Sequence, residues 1–369
     1  MCSSDLYMMK NSSQLKVALV TETLWKMGGA NRVLEVFAKM YPQADIYSLY
    51  GDTKNLSKEL QRHKIIFSKL NHRLGARQFF RYTLHLLPNY IERFDFSDYD
   101  LVISSSSNVA MGVVTPSKCL HVAYVHTPTR YLWDLKDMGT PKLGNLKHAL
   151  ASFLLTFIRI WEVSAANRPD IMIANSQFVA DRIYKYWRRK VDAVISPPIT
   201  FYDGEIFEKK ERYIVAGAPF EFNKKGDFLL DCLAGSDIKV KLMGEGSMRV
   251  KLQRRYSRYS NIEFLENVSD REKYKLFAHA SCFVVPGVED FGIFPLEAMS
   301  AGCPVLAYKE GGILENLREG VNGYFFDRWE KELFLEQLGN VLNTKWDYVG
   351  ISKSRSEEHT SELQSRQSI

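Results

Sequence analysis

Short apolar runs alternate with segments of helical periodicity along nearly the whole chain. KVALV (Lys16–Val20) is a strand-length run, and the following GGANRVLEVFAKMYP puts Val33, Leu34, Phe37 and Met40 on one helical face. ADIYSLY, DLVISSS, LHVAYVHT and DIMIANS come next, each opening onto a loop. Then come a helical FVADRIYKYW and a last strand, DAVISPP, that stops at Pro197–Pro198. Beyond ISPPIT the alternation restarts with RYIVAGA, IKVKLMG, NIEFLE, CFVVPG, PVLAYK and NGYFF. Helical patterns intervene near Gly226–Leu233, Met248–Arg255, Asp270–Ala280, Pro295–Ala301 and Leu314–Glu319. Such alternation predicts the α/β class, with parallel sheets covered by helices. Two such sets around one linker predict two Rossmann-like, doubly wound domains, 8–198 and 199–354, facing each other across a cleft. Ligands of open parallel sheets bind outside the carboxyl ends of the strands, so the loops after strands are where chemistry is expected.

A length of 369 residues suits two domains, and 46% hydrophobic with 25% charged residues is ordinary for a globular chain. The most apolar stretch, Ala149–Trp161, falls short of the roughly 20 residues a membrane span needs and carries Arg159. It reads as a core or interfacial helix. Five cysteines without paired spacing argue against a disulfide framework or zinc site and for a reducing, cytoplasmic compartment. The formal charge of +6 favours acidic partners such as phosphates or a membrane surface. No nucleic-acid recognition module is present, so nucleic acid is not expected. Both ends read as foreign: RSEEHTSELQS is what a sequencing-adapter oligonucleotide gives when translated, and CSSDL resembles its other strand. Segments 1–7 and 355–369 are therefore expected to lie outside the natural sequence.

The densest chemistry lies in VEDFGIFPLEAMSAGCPV, Val288–Val305. Pro295 suits the first turn of a helix, and the free N–H groups around Ile293 to Leu296 would offer a seat for a phosphate-bearing ligand. Gly292 would let that ligand approach, with Glu289 and Glu297 flanking the seat to accept hydrogen bonds from hydroxyls. The plainer reading has Glu297 complementing the helix dipole and Glu289 solvated. DYD (Asp98–Asp100) has a metal-holding form but precedes a strand, so it reads as a solvated turn. GEGS (Gly244–Ser247) is a partial dinucleotide fingerprint with Arg249 in place of its third glycine. The stretch 61–88, QRHKIIFSKLNHRLGARQFFRYTLHLLP, mixes basic with apolar residues. It suits a surface helix resting on anionic lipid at the inner face of the cell membrane, or a helix with a core side and a solvated basic side.

EDFGIFPLEAMSAGCPV resembles the E-x7-E signature of family-4 retaining glycosyltransferases with the GT-B fold. GGANRVLE resembles their first glycine loop, and YVHTPTRYLWDL resembles the His-Thr-Pro-x-Arg-Tyr-x-Trp-Asp stretch of their GDP-mannose-using branch. DIMIANSQFVADRIYKYW and GGILENLREGVNGYFF fit in order and spacing, so the likeness runs from about Lys16 to Trp346. The resemblance implies transfer of a hexose with retention, mannose from GDP-mannose, to a saccharide or lipid-linked saccharide, without a metal or other cofactor. It implies that Glu289 contacts the donor sugar and Glu297 the ribose. Backbone N–H groups of Phe291, Gly292 and Ile293 would cradle sugar and diphosphate, and His126 would lie beside the anomeric carbon. Gly28 and Gly29 would approach the diphosphate, while Arg130 and Asp134 act on the acceptor side or as support. Lys224, with Lys225 beside it, matches the family lysine, but Ala218 stands where an arginine is expected. The final helix that crosses back to the first domain is not found either. A non-catalytic nucleotide-sugar-binding protein, or a phosphorylase- or epimerase-like enzyme, are the alternatives.

Overall fold

Runs rich in Val, Ile, Leu and Phe suit strands buried on both faces, and the structure uses them so. The computed structural model describes residues 15–71, 83–134, 145–217 and 220–354, with the backbone alone for 145–151. The chain divides into two compact units that meet at Pro198 and Ile199.

The first unit runs β1 (Val17–Leu24), α1 (Gly29–Met40), β2 (Asp45–Gly51), α2 (Lys58–Gln61), β3 (Ile65–Phe67) and α3 (Leu87–Ile91). It continues with β4 (Leu101–Ser106), β5 (Leu120–Val125), α4 (Asn145–Ala165), β6 (Ile171–Ala174), α5 (Gln177–Trp187) and β7 (Ala193–Val194). Its sheet is ordered β3-β2-β1-β4-β5-β6-β7, with every neighbouring pair parallel. The order reverses between β1 and β4, which opens a crevice at their carboxyl ends.

The second unit runs β8 (Glu211–Gly217), α6 (Gly226–Leu233), β9 (Lys239–Met243), α7 (Arg249–Tyr256), β10 (Ile262–Phe264) and α8 (Asp270–His279). Then follow β11 (Ala280–Val285), α9 (Ile293–Ser300), β12 (Val305–Tyr308), β13 (Gly323–Phe326) and α10 (Lys331–Asn343). Its order is β10-β9-β8-β11-β12-β13, again all parallel, with the reversal between β8 and β11. Phe277 of α8 and Phe283 of β11 meet edge to face at 5.3 Å in its core. A capping box of Ser269 and Glu272 starts α8. Helical residues 348–354 pack back on the same unit, with Ile351 buried and Ser352 Oγ donating to Ser300 O.

Several expected elements differ. Met40, the last residue of α1, is 60% exposed rather than on the buried face. The stretch 61–88 is not one helix: its Ile65–Phe67 pairs with β2 as an edge strand, and 72–82 lie outside the described residues. Leu314–Glu319 forms only a 3-10 turn, Gly312–Glu315. The helix expected from Pro295 starts two residues sooner, at Ile293, since Gly292 turns the chain at φ +92°. Pro295 still costs nothing in the first turn, where an N–H has no intrahelical acceptor.

His121 of β5 is fully buried, its Nε2 2.9 Å from Ser104 Oγ. Burial, aided by Arg189 and Arg168, pushes its pKa down to about 3 from an ordinary 6.5. The folded chain thus holds it neutral while the unfolded chain binds a proton as pH falls below about 6.5. Its contribution to stability is full above that pH and is lost as pH falls towards about 3, by up to about 1.4 kcal/mol per pH unit. Urea unfolding at mildly acidic against neutral pH should show this slope in the wild type and a shallower one in His121→Gln. Identical slopes would contradict it.

Candidate active site

In the second unit a pocket of about 520 Å³, counting space open to solvent, lies at the carboxyl ends of β8, β9 and β11. Its walls include Gly217, Phe220, Phe222, Lys224, Pro286, Gly287 and Glu289. This is the switch point of the sheet, where the alternation alone put a ligand. A 3-10 turn, Phe222–Lys224, ends at Lys225 in the left-handed conformation, and α6 starts from it. Lys224 Nζ then lies 2.6 Å from Glu289 Oε2, both side chains about four-fifths buried. Lys225 goes elsewhere: its ammonium sits 4.5 Å over the Trp329 ring. Trp329 in turn stacks on Tyr308 at 4.0 Å and donates through Nε1 to Pro286 O. Nor does Arg249 replace the absent arginine, since its guanidinium is spent on the carbonyls of Gly244 and Leu265. Ala218 lies outside the described residues.

The loop carrying Glu289 is set by two glycines that follow β12. Gly312 N donates to Glu289 O at 2.8 Å, and Glu289 and Gly311 form a parallel bridge. A Cβ on Gly311 would meet Glu289 O at 2.3 Å, and one on Gly312 would meet Asp290 O at 2.2 Å, so only glycine permits this approach. Phe291 is buried and anchors the loop, Gly292 turns it, and Ile293 opens α9. The first-turn N–H groups of Ile293 and Phe294 have no acceptor within the helix, which is the anion-binding property of a helix start.

Glu297 behaves differently from Glu289. It is 1% exposed, with Oε2 2.8 Å from Lys273 Nζ and Oε1 3.3 Å from Tyr274 Oη. Tyr274 Oη also donates to Thr200 O, just beyond the Pro197–Pro198 linker. In this arrangement Glu297 presents almost no surface to a ligand, so accepting a ribose hydroxyl requires Lys273 or Tyr274 to yield. Lys273 was not foreseen. A local signal existed: it stands four residues before the buried Phe277, on the inward face of α8, where a lysine needs a partner.

In the first unit Gly28 caps α1 in extended backbone, and a Cβ there would touch none of the described residues within 4 Å. Gly29 is the first residue of α1. His126 follows β5, its Nε2 2.8 Å from Ser105 Oγ, its N–H on Ser106 O and its carbonyl accepting from Asn175. Arg130 begins a 3-10 turn, Arg130–Leu132. Asp134 binds Arg182 and the Tyr186 hydroxyl, and Arg182 reaches Thr127 Oγ1 at 2.6 Å, so Asp134 supports the HTPTRYLWD segment. Asp98 and Asp100 both bind Lys16, before β4 and away from its carboxyl end.

Two buried acids that were not singled out hold the loops on this edge. Glu22 of β1 accepts from the N–H groups of Ser107, Asn108 and Ala110 and from Ser106 Oγ. Glu162 of α4 accepts from Thr129 N and from the indoles of Trp133 and Trp187. Burial pushes both pKa values up, while these hydrogen bonds pull the other way.

Removing the partner of a buried charge costs about 3–5 kcal/mol. Lys273→Met should lower stability by that order, and Lys273→Met with Glu297→Gln should recover part of it in a double-mutant cycle. Additive losses in chemical denaturation would show that the pair is not coupled.

Two family models match this chain: one described as Glycosyltransferase Family 4 over residues 27–199, the other as Glycosyl transferases group 1 over 201–356. An alpha-1,3/1,6-mannosyltransferase of Dictyostelium discoideum is 33% identical over 121 residues, 32% of this chain and 29% of that protein. Its namesake in Schizosaccharomyces pombe is 22% identical, aligned with 93% of this chain and 77% of its own length. An uncharacterized glycosyltransferase of Methanocaldococcus jannaschii is 30% identical over 49% of this chain and 52% of its own length. The chain thus spans about half or less of the Dictyostelium and Methanocaldococcus relatives it matches. Among solved structures, an Anabaena protein in complex with UDP and glucose superposes with a TM-score of 0.58 at 19% identity, covering 94% of this chain and all of that one. Sucrose-phosphate synthase from Thermosynechococcus elongatus superposes with a TM-score of 0.65 at 14% identity, covering 92% of each chain. These likenesses concern the fold, two Rossmann-like halves of parallel sheet. With both halves matched by models of one enzyme class, the chain belongs to the family-4 glycosyltransferases of the GT-B fold.

Proposed function

We propose that the protein is a retaining mannosyltransferase that moves mannose from GDP-mannose to a saccharide or lipid-linked saccharide. The observation that carries this reading is the Lys224–Glu289 pair at 2.6 Å, at the β8/β11 switch point and beside the start of α9. An ammonium and first-turn N–H groups suit the phosphates of a sugar nucleotide, and a carboxylate suits its sugar hydroxyls. Mannose is supported by the activity named for the Dictyostelium and Schizosaccharomyces relatives. GDP is supported by the likeness of HTPTRYLWD to the GDP-mannose-using branch.

In this reaction the bond from the anomeric carbon to the diphosphate oxygen breaks and the acceptor oxygen bonds to the same face. The acceptor's proton passes to the departing diphosphate. Lys224 and the N–H groups of Phe291, Gly292 and Ile293 take up the charge that develops there, so the scheme asks for no divalent ion. Glu289 holds the sugar, and His126, fixed by Ser105, acts beside the anomeric carbon. Gly28 and Gly29 approach the diphosphate, and the space around Gly28 supports this, since none of the described residues packs within 4 Å of a Cβ there. Lys225 can join only by leaving Trp329, and Glu297 reaches the ribose only if Tyr274 or Lys273 gives way.

A second reading is binding without transfer. It is favoured by the burial of Glu297 and by Ala218 in place of the family arginine. Labelled GDP-mannose with lipid-linked acceptors decides between them: the proposal expects a labelled product of retained configuration. Lys224→Ala should lower kcat on the order of 10²–10³-fold, the scale set by loss of one group that stabilises developing negative charge. GDP at 100 times its Kd should add about 2.7 kcal/mol to apparent stability. Stabilisation by GDP without product would favour the second reading, and no binding of any nucleotide sugar would end both.

A further inference from the structure

The loop after β13 carries Trp329, and we infer that this residue positions the donor site by fixing the two loops that bear Lys224 and Glu289. The inference rests on the sugar-nucleotide reading of that pocket. Trp329 stacks on Tyr308, the last residue of β12, with ring centroids 4.0 Å apart and planes 17° from parallel. Two contacts reach out from this ring. Its Nε1 donates to Pro286 O at 2.9 Å, just beyond β11 and three residues before Glu289. Its electron-rich face receives the Lys225 ammonium at 4.5 Å, one residue after Lys224.

The two loops touch where those contacts hold them. A Cβ on Gly287 would meet Asn223 O and Lys224 Cα at 2.7 Å each, so the backbones after β8 and β11 press together there. Lys225 takes the left-handed conformation at φ +53°, an unfavourable state for a lysine that persists where its surroundings hold it. That turn sends the two lysines apart, Lys224 to Glu289 at 2.6 Å and Lys225 to Trp329. Holding Lys225 over the indole therefore holds the turn, and the turn sets Lys224. Holding Pro286 sets the start of the stretch that leads to Glu289. Core packing does not account for the residue, since Trp329 is 39% exposed. A tryptophan brings a flat face and an N–H on one rigid ring, and both are engaged here.

The test is calorimetric titration of the full chain with GDP. Trp329→Ala removes both contacts and should weaken GDP binding about tenfold. Trp329→Phe keeps a ring face without the N–H and should weaken it about threefold. Both variants should keep a Tm near that of the wild type, because the side chain is partly exposed. A double-mutant cycle separates positioning from a merely structural part and from direct contact with the ligand. In a Lys224→Ala background the Trp329→Ala change should cost little, since the group it positions is already gone. Wild-type affinity in both Trp329 variants, or losses that simply multiply in the double mutant, would overturn the inference and leave the donor site standing. A wild-type chain that binds no GDP would instead remove the site itself, and the inference with it. If Trp329→Ala fails to fold, the same cycle run with Trp329→Phe decides.

Discussion

The second unit depends on one close approach of backbone to backbone. Where Gly311 and Gly312 leave β12, they pass so near Glu289 and Asp290 that no Cβ fits between. The hydrogen bond from Gly312 N to Glu289 O and the bridge between Glu289 and Gly311 hold this contact. From it follow the height of the Glu289 carboxylate against Lys224, the left-handed turn at Gly292 and the start of α9 at Ile293. That start in turn places Glu297 on the second turn of α9, facing α8, where Lys273 meets it. Two carboxylates eight residues apart therefore reach different surroundings, one lining a pocket and one buried against α8.

The first unit fixes the loops that follow β4 and β5 by another device, buried acids acting as anchors for loop amides. Glu22 gathers the chain just beyond β4, and Glu162 gathers the chain beyond β5 that includes Thr129 and Trp133. Burying a carboxyl is costly, and the raised pKa of each acid expresses that cost. Several hydrogen bonds per carboxyl offset it and leave the loops little freedom. His126 sits between these anchored segments with its ring held by Ser105 and its carbonyl by Asn175. A rigid scaffold under loops that carry chemistry is what positioning catalysis requires.

Much of this architecture was legible in the residues. Parallel strands buried on both faces leave continuous apolar runs such as VALV and CFVV, and Pro197–Pro198 marks the end of the first set. The short edges were not legible: Ile65–Phe67 offers three residues to the eye and β7 only two, too few to show a period. The helix α10 was only faintly legible: Phe334, Leu338 and Val341 keep helical spacing, but these three buried residues stand among charged and polar neighbours. The site was half legible. Lys224 and Glu289 were named and are paired, whereas the burial of Glu297 depends on Lys273, 24 residues away and on another helix. The spacing of Lys273 and Phe277 marks the lysine as facing inward, but it does not say which acid meets it.

The central claim is that the Lys224–Glu289 pair and the opening turn of α9 form the seat of a diphosphate. A crystal structure of the protein with GDP bound tests it most directly. The account predicts phosphate oxygens at about 3 Å from Lys224 Nζ and from the N–H groups around Gly292 and Ile293. GDP bound elsewhere, with Lys224 and Glu289 still paired and untouched by phosphate, would contradict it.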